Sequence, residues 1–249
     1  LFFYFFFQFI KKRDFLSIFL VAFISGLLIL LRQEFVAVLA LSLLYVFIFY
    51  KIPIKKIFLI LLIALITISP YLIRNIVIFE TITISKTTGY NLWKGSHPKA
   101  EGIEGSEIKD DNLRAKIDKI PKDKFYGINY DNLFLNEAIK NIQRDPTRYL
   151  ALFFKKAVSF LFIDIKSTAP NYYNPFHYLP VLLLGITSLI GIALSNKKSY
   201  KLNYLILIFF FYVFIFSTVS ILPRYKLIVL PLQIIFTNVL IDKVKKFIS

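Results

Sequence analysis

Three arginines stand where apolar runs of the chain give way. Arg32 follows Phe15–Leu31 and has Glu34 two residues on; Arg74, joined to Asn75, follows Ile57–Ile73; Arg224, joined to Tyr225, precedes Leu227–Ile241. A guanidinium is planar and permanently charged, and its paired N–H donors match two oxygens of a phosphate. Ionisable groups beside lipid are costly and often functional. The ordinary alternative is that arginines at helix ends reach into headgroups. Three arginines at one level point to a shared anionic ligand, so Arg32, Arg74, Arg224 and Tyr225 are candidates for gripping a phosphate. A second group lies in KTTGYNLWKGSHP, residues 86–98, which holds the single tryptophan. Trp and Tyr beside amides can stack on and hydrogen-bond a sugar, which makes Gly89, Asn91 and Trp93, with Glu34 and Asn75, candidates for a sugar or acceptor. Trp93 has a second reading, as an anchor in the aromatic belt of a membrane interface.

The elements that must carry these groups are apolar helices. The chain of 249 residues is 57% hydrophobic and includes 28 Phe and 15 Tyr. Its apolar residues come in blocks close to the ~20 residues that a hydrocarbon core requires. They do not alternate at period two, as the strands of a lipid-facing barrel would. The expectation is an all-α polytopic membrane protein. Leu1–Ile10 reads as the tail of a helix, and the sequence, which contains no Met, as part of a longer protein. Spans are expected at Phe15–Leu31, Phe35–Tyr50, Ile57–Ile73, Phe176–Leu194, Asn203–Leu222 and Leu227–Ile241, with Pro70 bending the end of its helix. Residues 1–75 form one transmembrane part and 176–249 another. Between them, 76–175 form a solvated luminal or periplasmic subdomain, nearly balanced at 15 basic and 12 acidic side chains. Within it the pattern predicts an extended piece at Thr81–Ser85, a loop to about Gly105, and helices near 106–120 and 131–144.

Asp145–Ile165 is apolar with two lysines in its middle. Asp145-Pro146 is a helix start, and on a helix Arg148, Lys155 and Ser159 fall on one side. This predicts an amphipathic helix near 146–165 lying in the interface. Basic residues decide the same point. Residues 11–13, 51–56, 197–201 and 243–246 each hold three Lys or Arg, and they share one face only if this helix does not cross. The three arginines and the polar segment then share the outer face.

Several function classes fall away. The net charge of +16 is explained by the cytoplasmic loops, so nucleic acid is not an expected partner. With no Cys, and with His97 and His177 80 residues apart, no metal site is expected.

In order along the chain, GLLILLRQEF, SPYLIRN, GYNLWKGSHPKAEG, NEAIKNIQRDPTRYLALFFKK and PRYKLIVLP resemble segments of the polyprenol-phosphate-dependent GT-C glycosyltransferases. The likeness is to the dolichyl-phosphate-mannose protein mannosyltransferase group (glycosyltransferase family 39) and its bacterial relatives that modify lipid A. The resemblance implies a GT-C-like transmembrane bundle in a multi-pass protein of the bacterial inner membrane. It implies transfer of a sugar, hexosyl or pentosyl, from a polyprenyl-phosphate donor to a lipid, glycan or protein acceptor on the outer membrane face, with membrane lipids as partners and no cofactor besides the donor. The family's catalytic acidic residues belong to a first luminal loop expected upstream of residue 1; Glu34, Asp131 and Glu137 do not match that motif, and the catalytic base is unknown. The alternative is a non-enzymatic transporter, flippase or assembly subunit for lipid-linked glycans, in which the same arginines guide an anionic lipid.

Overall fold

A computed structural model describes residues 1–99, 110–163, 173–195, 199–219 and 225–248. It has eleven α-helices and no strand among the described residues, and the chain divides into two compact units, Leu1–Ser85 and Lys86–Ser249. Among the described residues, three helices are long and apolar enough to cross a membrane: Ile54–Phe79, Tyr200–Thr218 and Lys226–Ile248. The described residues are thus all-helical, consistent with an α-helical membrane protein.

The first unit contains α1 (Phe2–Lys12), α2 (Phe15–Leu31), α3 (Phe35–Tyr50) and α4 (Ile54–Phe79). Asp14 starts α2 by accepting the backbone N–H of Ser17 at 2.9 Å, the usual device for a first-turn donor that has no partner in the helix. Arg13, Lys51 and Glu80 end α1, α3 and α4 in the left-handed region, at φ of 56°, 50° and 56°. Inside the apolar runs the serine hydroxyls stay with their own helix: Ser25 donates to the Val21 carbonyl at 2.7 Å and Ser42 to that of Val38 at 2.6 Å. Such bonds satisfy a polar group where no water reaches it.

The helix carrying Arg74 departs from the expectation. It does not end at Ile73 but runs through Pro70 to Phe79. Proline lacks the N–H that would bond four residues back, which leaves the Ile66 carbonyl without its helical donor. The Ser69 hydroxyl donates to that carbonyl at 2.8 Å, and the helix continues. Arg74 therefore sits within the last two turns of α4.

The second unit holds α5 (Thr88–Ser96), α6 (Asp111–Ile117), α7 (Tyr126–Arg144), α8 (Pro146–Leu161), α9 (Pro175–Ala193), α10 (Tyr200–Thr218) and α11 (Lys226–Ile248). The predicted helices near 106–120 and 131–144 correspond to α6 and α7. Thr81–Ser85 belongs to no helix or strand, and the Asn75 amide holds it by donating to the Thr83 carbonyl at 2.7 Å. One expectation fails. The expected loop, whose residues 100–105 lie outside the described ones, contains α5, which forms because Trp93 and its neighbours have an apolar partner in α7. Trp93, Leu113, Phe134 and Ala138 make this core. α9 and α11 pack tightly: a Cβ on Gly191 would overlap the Phe236 carbonyl, and the Thr187 and Thr237 hydroxyls meet at 3.0 Å. Small residues and hydroxyl pairs are what membrane helices use to approach closely.

Candidate functional sites in the two units

The arginines of the first unit come to one end. The Lys56 ammonium donates to the Arg13 carbonyl at 2.6 Å, so α2 and α4 start together and run parallel. Halfway up they touch at Gly26, where an added Cβ would lie 2.6 Å from Thr67 Cβ and 3.1 Å from the Ala64 carbonyl oxygen. Arg32 lies six residues beyond Gly26 and Arg74 seven beyond Thr67. At 1.5 Å per residue these are rises of roughly 9 and 10 Å, hence one level.

Each arginine has a local partner. Arg32 Nη1 lies 2.9 Å from Glu34 Oε1, and Arg74 donates to Asn75 Oδ1 at 3.0 Å. Asn75 is buried and is bonded on its other side to Thr83, so the amide fixes the direction of the exposed Arg74. Arg224 lies outside the described residues. Tyr225 is described in the second unit, where its ring stacks on Phe216 with centroids 4.6 Å apart.

The tryptophan group is placed in a core. Trp93 is 4% exposed, with its ring 4.8 Å from that of Phe134 and 4.9 Å from that of His97. Gly89 lies where a Cβ would overlap the Asp131 carbonyl and approach Leu135 N to 2.8 Å; only glycine allows α5 this close to α7. Asp131 also caps α5, its Oδ1 accepting the Tyr90 N–H at 3.0 Å. Asn91 is half-buried on the same helix. Gly89 and Trp93 thus hold α5 against α7.

Sequence reasoning missed the polar work of α8. The helix forms as expected, with Asp145 accepting the Arg148 N–H at 2.9 Å, but its charged side packs inward. Its buried residues are Leu152, Lys156, Ser159 and Phe160, while Leu150, Phe154 and Val158 face out. Lys156 is 1% exposed and donates to the Gly95 carbonyl at 3.0 Å and the Val219 carbonyl at 3.1 Å. Arg148 donates to the His97 and Pro98 carbonyls at 2.8 and 2.6 Å, and the Tyr149 hydroxyl to that of Thr218 at 2.8 Å. These acceptors lie at the C-terminal ends of α5 and α10, which carry free carbonyls and partial negative charge. Lys226 closes α8 similarly, donating to the Phe162 carbonyl at 2.6 Å. Burial pushes the Lys156 ammonium down to about 8. The sequence signal was the pair Lys155-Lys156 inside an apolar helix; the inward residue is Lys156, because it shares a side with Leu152 and Phe160.

A cleft of about 530 Å³ opens beside this core, lined by Trp93, His97, Asp110, Lys116, Glu137 and Arg144 among others. His97 Nδ1 accepts the Lys99 N–H at 3.1 Å and Nε2 faces Asp110 Oδ2 at 3.5 Å. Burial lowers the pKa of His97 despite that carboxylate. Three carboxylates have structural duties: Glu34 pairs with Arg32, Asp131 caps α5, and Glu137 is held by Lys116 at 2.8 Å and Lys140 at 3.3 Å. Those lysines lower the pKa of Glu137. No group of three or more His, Asp and Glu suited to a metal ion occurs among the described residues.

The chain matches no protein-family model, no curated protein and no solved structure. The functional reading therefore rests on its own residues.

Proposed function

We propose that the protein is a membrane glycosyltransferase that moves a sugar from a polyprenyl phosphate to a lipid, glycan or protein hydroxyl on the outer face of the bacterial inner membrane. The observation that carries this reading is the equal height of Arg32 and Arg74 in an apolar helical bundle, with Arg74 aimed by a buried asparagine. The ordered motifs of the sequence support it. In the transfer, an acceptor oxygen bonds to the anomeric carbon as the bond from that carbon to the phosphate oxygen breaks. The sugar passes to the acceptor, the polyprenyl phosphate leaves with added negative charge, and the acceptor proton goes to a general base. Guanidinium groups at the level of the phosphate stabilise that charge as it develops. Asn75 acts as a positioning residue for Arg74.

The test uses membranes carrying the intact protein, incubated with labelled polyprenyl-phosphate sugars. Transfer of label to a lipid, glycan or protein is expected. Arg74→Ala should lower the rate at least roughly tenfold at equal expression, and Arg74→Lys should recover part of it, because an ammonium replaces the charge but not the paired donors. Equal activity of Arg74→Ala would refute the assignment. Movement of labelled lipid across the bilayer with no transfer would favour a transporter.

A further inference from the structure

The opposite end of the first unit has a different chemistry. There α1 ends, α2 begins, α3 ends and α4 begins, and the Arg13 guanidinium donates to the Tyr50 carbonyl at 3.2 Å while Lys56 donates to the Arg13 carbonyl at 2.6 Å. These bonds bring the segments holding Lys11, Lys12, Arg13, Lys51, Lys55 and Lys56 to one end of the unit, where the single carboxylate is Asp14, engaged as the cap of α2. Arg13 and Lys56 hold the turns together. The other four lysines are exposed; Lys12 acts electrostatically on Asp14, while Lys11, Lys51 and Lys55 have no hydrogen-bond or ion-pair partner among the described residues.

The adjoining first turns of α2 and α4 expose the hydrocarbon of Phe15, Leu16, Ile54 and Phe58, each more than 60% accessible. Unpaired cations directly beside exposed hydrocarbon complement a molecule with a phosphate at one end and acyl chains at the other. A soluble phosphate would leave the apolar ring without a partner. A zwitterionic lipid would leave the positive charge uncompensated.

We propose that this collar binds the headgroup phosphate of an anionic phospholipid, with Lys51 and Lys55 on the phosphate and Ile54 and Phe58 against its acyl chains. The site is independent of sugar transfer and lies at the other end of the bundle from Arg32 and Arg74.

The test is thermal unfolding of the detergent-solubilised intact protein, followed by light scattering, with added phosphatidylglycerol or phosphatidylcholine of identical chains. Binding to the folded state raises Tm by mass action, and a gain of about 3 °C or more is expected from the anionic lipid over the zwitterionic one. The double substitution Lys51→Gln and Lys55→Gln should remove most of that difference, and Lys55→Gln alone about half. Lys119→Gln with Lys122→Gln, exposed lysines of the second unit, should leave it intact. Equal gains from the two lipids, or a full difference retained in the Lys51/Lys55 variant, would overturn the proposal. So would an equal gain from glycerol phosphate at the same concentration, which would make the collar a site for soluble anions. If the double variant does not fold, the single variant decides.

Discussion

The α2–α4 bundle and the α5–α7 core differ most in what they turn outward. In the bundle, Ser25, Ser42 and Gly26 lie inside among apolar side chains such as Val21, Val38 and Ile60, and Phe58, Leu61, Leu65 and Ile66 face out, so apolar groups stand on both sides. Around α5 and α7, Trp93, Phe134 and Ala138 lie inside, and lysines such as Lys116 and Lys140 face out. Water drives the second arrangement, since burying apolar surface is favourable only when the alternative is water. Lipid removes that drive, and close packing with internally satisfied hydroxyls takes its place. The difference teaches that one chain is adapted to two solvents. α8 stands between the two arrangements, with an inward cationic face and an outward apolar one.

Breaking the comparison is easiest at Gly89. Gly89→Val drives a branched side chain into the Asp131 carbonyl and the Leu135 backbone, which cannot yield. We expect a loss of at least about 3 kcal/mol in the α5–α7 region. Because Trp93 is the single tryptophan, its fluorescence reports this region alone, and a native-like emission maximum and melting curve would contradict the packing described.

The next largest effect sets the regions side by side. Phe134→Ala should cost about 3–5 kcal/mol, because a ring at 2% exposure leaves a cavity. Phe58→Ala deletes the same ring from a side chain 66% exposed, and should change the melting temperature in detergent hardly at all. A loss at Phe58 as large as that at Phe134 would contradict the outward placement of Phe58.

Lys156 gives a smaller effect with a pH signature. Lys156→Met leaves the Gly95 and Val219 carbonyls without their donor and should cost about 1–3 kcal/mol at pH 7. With its pKa brought down to about 8 by burial, the folded protein releases this proton before the unfolded chain does. Between pH 8 and the ordinary lysine value the unfolded state binds more protons, so stability should rise with pH. Unfolding followed by Trp93 fluorescence should show that rise in the parent protein and none in Lys156→Met.

His97 gives the smallest. Its pKa is lowered by burial, so the unfolded chain takes up its proton first and stability should fall as pH drops below the ordinary histidine value. His97→Gln should flatten that slope; an unchanged slope would show that the histidine does not contribute to it.

Much of the fold was legible because hydrophobic blocks and breakers are local. Phe15–Leu31 and Phe35–Tyr50 are helices with the ends the sequence suggested, closed by Arg32-Gln33-Glu34 and by Lys51 with Pro53. The end of α4 was placed at Ile73 because the charge of Arg74 breaks the apolar run, while the backbone continues as helix to Phe79. α5 was taken for loop because Gly89 and Gly95 discourage a helix, while its partner Phe134 lies some 40 residues away. At the candidate sites, the pairs Arg32–Glu34 and Arg74–Asn75 could be read from their spacing. The burial of Trp93 and the inward turn of Lys156 could not.

The sequence by itself determined that this is a helical protein with apolar spans, where its main helices lie, and which side chains carry charge. Those properties follow from composition and from periods of a few residues. Only the tertiary structure decided that Asn75 joins Arg74 to the Thr83 carbonyl, that Gly89 admits α7, and that Arg148 and Lys156 close the ends of α5 and α10. The physical reason is that burial and the partner of a polar group depend on what a distant segment brings into contact, and no local pattern encodes that meeting.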